Sequence, residues 1–152
     1  MSEEPTPPPV EPKPGEETTE ALRDVIAAFD CTSGTLHRRD GDELRLVAAV
    51  DIPESVRPRI ETIPIGKGMA GLAAERREPV DVCNLQTDDS GVAEEGARAT
   101  GMEGSLAAPI IREDGTLDGT IGIAKPERYE FSSEERERLM DVGGRVLAHD
   151  TD

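Results

Sequence analysis

The sequence predicts an α+β fold in a single domain, with a mainly antiparallel sheet and a helix near each end of the chain. Asp40-Gly41 and Asp114-Gly115 each separate two strand-like runs, which is the pattern of a tight β-hairpin. Apolar residues at helical spacing follow Thr18 and Ser132. Hairpins pair their strands antiparallel, and 152 residues suit one domain plus a tail.

The first sixteen residues, 1–16, are rich in Pro and Glu, and Val10 is their only aliphatic residue. Such a segment cannot bury enough apolar surface to offset the entropy of ordering it. We therefore expect a disordered tail over 1–16 and a folded domain over 17–150.

The first half of the domain is predicted to hold a helix, a hairpin and a short helix. The first helix begins at Thr18 or Thr19 and ends near Asp30, with an apolar stripe that contains Leu22, Val25, Ile26 and Phe29. Strands follow over 31–39 and 43–51, and a short helix over 53–60. The second strand is expected to place four apolar side chains on one face: Leu44, Leu46, Ala48 and Val50.

The middle of the chain is predicted to contain a strand over 63–65, a glycine turn, a helix over 69–77 and a strand over 79–83. Residues 86–103 are polar and glycine-punctuated, and a loop of this length inside a compact domain is usually functional.

The last third is predicted to form a second hairpin and a helix. Its strands cover 105–113 and 117–125, and Gly119 and Gly122 weaken the second one. A helix over 132–150 is capped by Ser132 or Ser133. Gly143-Gly144 inside that helix indicates a close helix crossing or a weak point.

Composition excludes several classes of partner. The formal net charge of −16 repels phosphate backbones and anionic lipids, so neither nucleic acid nor a membrane is an expected partner of this acidic protein. An acidic N-terminus without an apolar stretch is not a signal peptide, so a cytoplasmic location is expected. Cys31 and Cys83 are too few and too far apart for a disulfide framework or a zinc site, so we expect free thiols and no bound metal.

Three stretches in order make the chain similar to the GAF domain family: IPIGKGMAGLAAERREPVDVCNL at 63–85, GSLAAPIIREDGTLDGTIGIAK at 104–125 and YEFSSEERERLM at 129–140. The likeness covers residues 20–149. It implies a central six-stranded antiparallel sheet, with the N- and C-terminal helices on one face and a pocket with a lid loop on the other. The polar loop at 86–103 lies where the family has that lid.

The resemblance also indicates what chemistry to test. Free methionine sulfoxide reductases of this family carry a Cys where this chain has Ala70, and their reactive Cys falls near Asp88–Gly91, which holds none. Cys83 lies close by, but its neighbours include Asp81 and offer no cation to activate a thiolate. We therefore expect no catalytic residue and no enzyme, with the reductase as a less favoured alternative.

Other family ligands match only in part. Members that bind cyclic nucleotides share a sequence pattern that this chain matches only in part, at Ala124-Lys125, Phe131 and Glu134-Glu135. The simpler alternative is that Lys125 pairs with a surface carboxylate and that Phe131 belongs to the core. The loop lacks the Cys-His pair of bilin binders. For haem, His37 and His149 are each expected to be exposed rather than ligands. The cofactor therefore stays unknown.

For an unidentified small-molecule ligand, the resemblance and the loop together favour contacts from seven residues: Met69, Cys83, Leu85, Arg98, Thr100, Met102 and Ser105. Arg98 could orient an anionic ligand, and Lys67 is the other cation that could meet a phosphate. The alternative is that the methionines fill the core and that Arg98 is solvated.

The expected function is a small-molecule-binding sensory and regulatory domain in signal transduction that acts in trans on a signalling partner. The alternative is an interaction module with a vestigial pocket. Such a module would form a homodimer, in which Gly143-Gly144 lets helices approach, through Leu22, Val25, Ile26, Leu139, Val142 and Val146.

Overall fold

The computed structural model describes residues 16–87 and 101–148. The predicted tail, apart from Glu16, and residues 88–100 of the predicted lid lie outside these ranges. The helices are α1 (Glu16–Ala28), α2 (Arg57–Ile60), α3 (Gly68–Arg76) and α4 (Ser133–Ala148). The strands are β1 (Ser33–Asp40), β2 (Glu43–Val50), β3 (Thr62–Pro64), β4 (Val80–Val82), β5 (Gly104–Ile111) and β6 (Leu117–Lys125).

The six strands form one antiparallel sheet in the order β3-β2-β1-β6-β5-β4. The two hairpins are β1-β2 and β5-β6, and they meet along β1 and β6, where Ser33 pairs with Ala124 and Leu36 with Ile121. The predicted α+β fold with a six-stranded antiparallel sheet is confirmed. Strands β1 and β6 are consequently interior strands.

Helices α1 and α4 cover one face of this sheet, as predicted. Their buried side chains form one aliphatic cluster with residues of the interior strands: Leu22, Ile26, Leu139 and Val146 pack with Leu36, Leu106, Ile121 and Ile123. Burying each such side chain stabilises the fold by roughly 1.5–3 kcal/mol, which makes this cluster the main core.

Most of the apolar residues expected at a dimer interface belong to that core. Leu22 and Leu139 are fully buried, Ile26 and Val146 nearly so, and Val25 and Val142 are half-buried against the same cluster. The four buried side chains fill the interior of this chain and are not available to a second copy. The homodimer itself stays a prediction.

The prediction that the apolar residues of β2 share one face is wrong, because β2 contains a β-bulge. Leu36 pairs with Ala48, but the next residue, His37, pairs with Leu46, so β2 holds one extra residue between them. An extra residue reverses which face the following side chains occupy. Ala48 and Val50 therefore join the core under α1 and α4, whereas Leu44 packs with Ala74 of α3 on the opposite face.

A reciprocal capping box starts α4. The Ser132 hydroxyl accepts a hydrogen bond from the Glu135 amide at 3.1 Å, and the Ser132 amide donates to the Glu135 carboxylate at 2.8 Å. Of the two caps that the sequence allowed, the structure has Ser132. Among the helices of the described ranges, none is long and apolar enough to cross a lipid bilayer.

Candidate functional site

A cavity of about 500 Å³ lies on the face of the sheet opposite α1 and α4. Alternate residues of β1, Ser33, Thr35 and His37, form part of its floor together with the neighbouring parts of β5 and β6. Helix α2, strand β3 and the first turn of α3 form its wall. Small-molecule sites in proteins span roughly 300–1,000 Å³, so this cavity has the size of a metabolite site.

His37 is, with Ser33, a buried polar residue of the cavity floor, and its expected exposure is wrong. The residue is 1% exposed because β1 is an interior strand and α2 lies over it. Its Nε2 lies 2.8 Å from the Ile60 carbonyl oxygen, which can only accept, so Nε2 carries the proton. Burial lowers the pKa of His37, and the ring is therefore neutral at pH 7 with Nδ1 as an acceptor.

The Nδ1 atom of His37 has no hydrogen-bond partner within the described residues. An unpaired acceptor in a buried position costs roughly 1–3 kcal/mol.

The glycine turn before α3 places the start of that helix beside the cavity. Gly68 adopts a left-handed backbone, with φ of 68°, and the Gly66 amide donates to the Gly71 carbonyl at 2.8 Å. A Cβ at Gly71 would lie 2.6 Å from the Pro64 oxygen, so the turn packs directly on the helix. As a result Lys67, Gly68 and Met69 all line the cavity.

Within the described residues, no side chain caps the first amides of α3. Lys67 is the N-cap residue and makes no side-chain cap hydrogen bond. The N–H groups at the start of a helix have no partner within the helix and carry part of its positive dipole. In α3 these groups belong to Gly68, Met69 and Ala70, each of which lines the cavity.

The charged side chains that line the cavity within the described ranges are both basic, Arg59 and Lys67. Neither has an ion pair or a hydrogen bond there, although the chain has 33 acidic residues. The described lining therefore has two positive side chains and no negative one, on a protein of net charge −16.

Of the seven predicted ligand residues, Met69, Leu85 and Ser105 line the cavity. Arg98 and Thr100 lie outside the described residues. The hydroxyl of Ser105 already donates a hydrogen bond to the Ile123 carbonyl at 3.4 Å.

Cys83 and Met102 are not part of the described cavity lining. Cys83 directly follows the last residue of β4 and is half-buried. Met102 packs beside the cluster around Val82 and Leu85, and its sulfur accepts a hydrogen bond from the Thr32 hydroxyl at 3.4 Å.

The sequence prediction omitted Ser33, Thr35, His37 and Arg59. A signal for three of them was present, because polar residues alternate along 33–37 in a strand that the structure buries on both faces. Alternation does not say whether the polar face meets solvent or a cavity, since that depends on which strands and helices cover it.

Cys31, Lys125 and Phe131 are buried in the domain and do not line the cavity. Burial raises the pKa of Cys31 to about 12, and its thiol donates to the Phe29 carbonyl. Lys125 is buried rather than paired on the surface: its Nζ lies 3.7 Å from the Tyr129 ring centroid. Phe131, beside it, is 1% exposed and belongs to the core, as the simpler alternative predicted. Within the described ranges no cluster of His, Cys, Asp or Glu could hold a metal ion.

Comparison with known proteins gives the same fold. The chain is similar to the GAF domain of a phosphoenolpyruvate-protein phosphotransferase from Coxiella burnetii, with 21% identity, a TM-score of 0.72, and coverage of 92% of this chain and 83% of that one. A putative GAF sensor protein from Burkholderia vietnamiensis has 22% identity and a TM-score of 0.68, with 93% and 87% covered. The type II free methionine-R-sulfoxide reductase from Thermoplasma acidophilum has 16% identity and a TM-score of 0.60, with 89% and 95% covered.

Identities this low support the fold and not the activity of any one relative. No curated protein matches significantly. The family model described as a GAF domain matches residues 15–146, which is most of the chain. The chain therefore belongs to the GAF domain family.

Proposed function

We propose that this GAF domain is a sensory and regulatory module that binds a small molecule in the cavity beside β1 and acts on a partner protein. The observation that carries the proposal is the cavity itself, of about 500 Å³, which is lined mainly by apolar residues and by a few polar ones such as Ser33 and Thr35. Pockets with an apolar lining and a few convergent polar groups are typical ligand sites. The similarity to a putative GAF sensor protein supports the same function.

The interior strands connect the cavity to the helices. Thr35 lines the cavity, and its neighbour Gly34 touches α1: a Cβ at Gly34 would lie 2.7 Å from the Ile26 side chain. A ligand that shifts β1 would therefore shift a surface on which α1 packs. Because packed interfaces respond to small shifts in discrete steps, α1 and α4 are the elements expected to report the bound state.

Native mass spectrometry on gently purified protein tests the proposal. We expect a reproducible additional mass that is lost on denaturation. Ala124→Leu, which fills the cavity, should abolish it, whereas Ala27→Leu, on the exposed side of α1, should retain it. A bound mass that survives Ala124→Leu unchanged would place the ligand elsewhere, and an apo protein under all conditions would contradict a sensor.

The proposal includes no catalysis. The buried thiol of Cys31 has a raised pKa, and neither cysteine belongs to the described cavity lining, so neither is placed to attack a molecule bound there. We expect no reduction of free methionine sulfoxide with dithiothreitol as reductant. Activity in the unaltered protein that disappears in Cys83→Ser would show instead that the protein is a reductase.

A second candidate function is dimerisation through α1 and α4. The observation in its favour is that Ala21, Val25, Met140 and Val142 are only partly buried beside the core. Analytical ultracentrifugation of the protein tests it, with Val25→Glu and Val142→Glu as variants. A monomer at high concentration would contradict it.

A further inference from the structure

We infer that the ligand is an uncharged, carbon-rich planar ring compound that lies flat on strands β1, β6 and β5 and forms a hydrogen bond with the hydroxyl of Ser33. The inference rests on the proposed function, and it adds the chemical class of the molecule and the residues that select it.

The first support is the part of the cavity floor where two rows of paired residues cross the three strands. Every member of these rows is Gly, Ala, Ser or Thr, and all of them line the cavity: Ser33, Ala124 and Ser105 form one row, and Thr35, Gly122 and Ala107 form the other. Neighbouring strands lie about 4.8 Å apart and alternate residues of a strand about 6.8 Å apart. The rows therefore make a floor of about 10 Å by about 7 Å, which has room for two fused rings.

The same strands have large side chains on their other face. Leu106, Ile121 and Ile123 belong to the core under α1 and α4, and side chains of a strand alternate between its faces. The space above the floor is therefore open because the residues that face it are small. A floor without Leu, Ile, Val or aromatic side chains is nearly flat, so a planar ring contacts it with a whole face. A puckered ring contacts such a floor with only some of its atoms.

The second support is the rest of the lining, which is mainly aliphatic. Arg59 and Lys67 are exposed, so their charged ends stay in water while their stems cover apolar surface. The described lining contains no Asp, Glu, Asn or Gln, the side chains that commonly bind polar ligands through several hydrogen bonds. A charged group against aliphatic side chains would lose its hydration, so this lining favours an uncharged molecule. The aliphatic side chains include Ile52, Val56, Ile60, Ile63, Met69 and Leu85.

The third support is an unpaired hydroxyl on the floor. Ser33 is 1% exposed, lines the cavity and makes no side-chain hydrogen bond within the described ranges. In the same ranges, the unpaired polar side-chain atoms that are fully enclosed belong to Thr18, His37 and Arg136, so the Ser33 oxygen keeps an opening into the cavity. A serine hydroxyl both donates and accepts, and a hydroxyl or carbonyl group on the ring would pair with it.

Amide-shift titrations by NMR test the chemical class, with naphthol, decahydronaphthol and naphthoate at about 0.15 M salt, each substituted at the same ring carbon. Naphthol and decahydronaphthol share a carbon skeleton and a hydroxyl and differ in flatness, whereas naphthoate is planar and charged. We expect naphthol to bind at least about threefold more tightly than either of the others, with shifts at the amides of Gly122 and Ala124. A smaller preference in either comparison would overturn the inference.

Paired variants show whether the ring lies on the floor. Ser105→Ala and Ser105→Val both remove the hydroxyl that donates to the Ile123 carbonyl, but only valine raises the floor. Ser105→Val should bind naphthol at least about fivefold more weakly than Ser105→Ala does, because the added methyl groups occupy the place of the ring. A smaller difference would place the ring elsewhere and overturn the inference.

A second floor variant keeps this test valid if Ser105→Val does not fold, which circular dichroism would show. A Cβ at Gly122 would lie 3.2 Å from Thr35 Oγ1, and the backbone there suits any residue. Gly122→Ala should weaken naphthol binding at least about threefold, because its methyl group stands under the ring. Ala27→Leu, on the exposed side of α1, should bind naphthol as the unaltered protein does. Equal affinity in Gly122→Ala and Ala27→Leu would contradict a ring on the floor.

The hydrogen bond to Ser33 is tested by comparing naphthol with naphthalene, which lacks a hydroxyl. We expect the unaltered protein to prefer naphthol by about 2- to 10-fold, as one hydrogen bond allows. The preference should disappear in Ser33→Ala, which keeps the floor equally low. It should persist in Ser133→Ala, an exposed serine outside the cavity. A preference that survives Ser33→Ala, or is absent from the unaltered protein, would overturn the role of Ser33.

The results separate this inference from the proposed function. If naphthoate or decahydronaphthol binds in the cavity as tightly as naphthol does, the inferred class is wrong and a sensor of another class of molecule remains. If no probe binds, the inference is wrong. If, in addition, native mass spectrometry finds no bound molecule, the proposed function fails too.

Discussion

Gly143 and Gly144 are adjacent in α4, and the structure predicts opposite effects for the same substitution at each. The sequence indicated a close approach at this pair, and the structure shows that the approach is to the sheet. A Cβ at Gly143 would lie 2.9 Å from Ile110 Cγ1 and 3.0 Å from Ile121 Cγ2. A Cβ at Gly144 would be 4.0 Å from its nearest neighbour, Ile110.

The expected magnitudes follow from these distances. Replacing a helical glycine by alanine stabilises an exposed position by about 0.5–1 kcal/mol, which we expect for Gly144→Ala. Gly143→Ala has the same propensity gain, but it forces an additional carbon against two buried isoleucines, and overpacking of this kind costs about 1–3 kcal/mol. The net effect at Gly143 is therefore a loss of stability of up to about 2 kcal/mol.

Urea unfolding followed by far-UV circular dichroism measures the difference, because the chain has no tryptophan to report by fluorescence. We expect the two variants to differ by about 1–3 kcal/mol, or roughly 4 °C in Tm for each kcal/mol in a domain of this size. If Gly143→Ala stabilises the protein as much as Gly144→Ala, the packing of α4 on β5 and β6 is looser than the structure gives, and the reasoning is refuted.

Three further predictions concern the cap, the buried histidine and the thiols. Ser132→Ala should lower the free energy of unfolding by about 1 kcal/mol, and Ser133→Ala by less than about half of that, since only Ser132 accepts from the Glu135 amide; equal losses would contradict the capping box. The folded-state pKa of His37 lies below its ordinary value of 6.5, so between these values the unfolded chain binds more protons and stability falls as the pH falls. Below pH 6.5 this histidine should contribute a slope of at most about 1.4 kcal/mol per pH unit to the free energy of unfolding. The contribution should be absent from His37→Gln, as urea titrations of both proteins at several pH values would show. Iodoacetamide at about pH 8 should alkylate half-buried Cys83 well before buried Cys31, whose pKa is raised to about 12; peptide mapping that finds Cys31 labelled first would be incompatible with its place in the core.

The elements of the fold could be predicted from the sequence because their signals are local. Asp40-Gly41 and Asp114-Gly115 fix the two hairpins, and Ser132 with Glu135 fixes the start of α4. Each of these signals acts through residues a few positions apart. For this reason their limits agree with the structure within about two residues, the uncertainty normal for element ends.

The lining of the cavity could be predicted from the sequence only in part. Met69, Leu85 and Ser105 line the cavity, and their contact with a ligand stays a prediction. Cys83 follows β4 and is not in the described lining, because which residues border the cavity depends on strands and helices that are distant in sequence.

The sequence by itself determined which segments become helices and strands, which turns join them, and that the chain is strongly acidic. Only the tertiary structure decided which way the side chains point. One extra residue in β2 places Leu44 and Ala48 on opposite faces of the sheet. Helix α2 covers β1, so His37, which was expected at the surface, is buried. The physical reason is that turns and caps are stabilised by residues adjacent in the chain, whereas facing and burial depend on pairing partners far away in sequence.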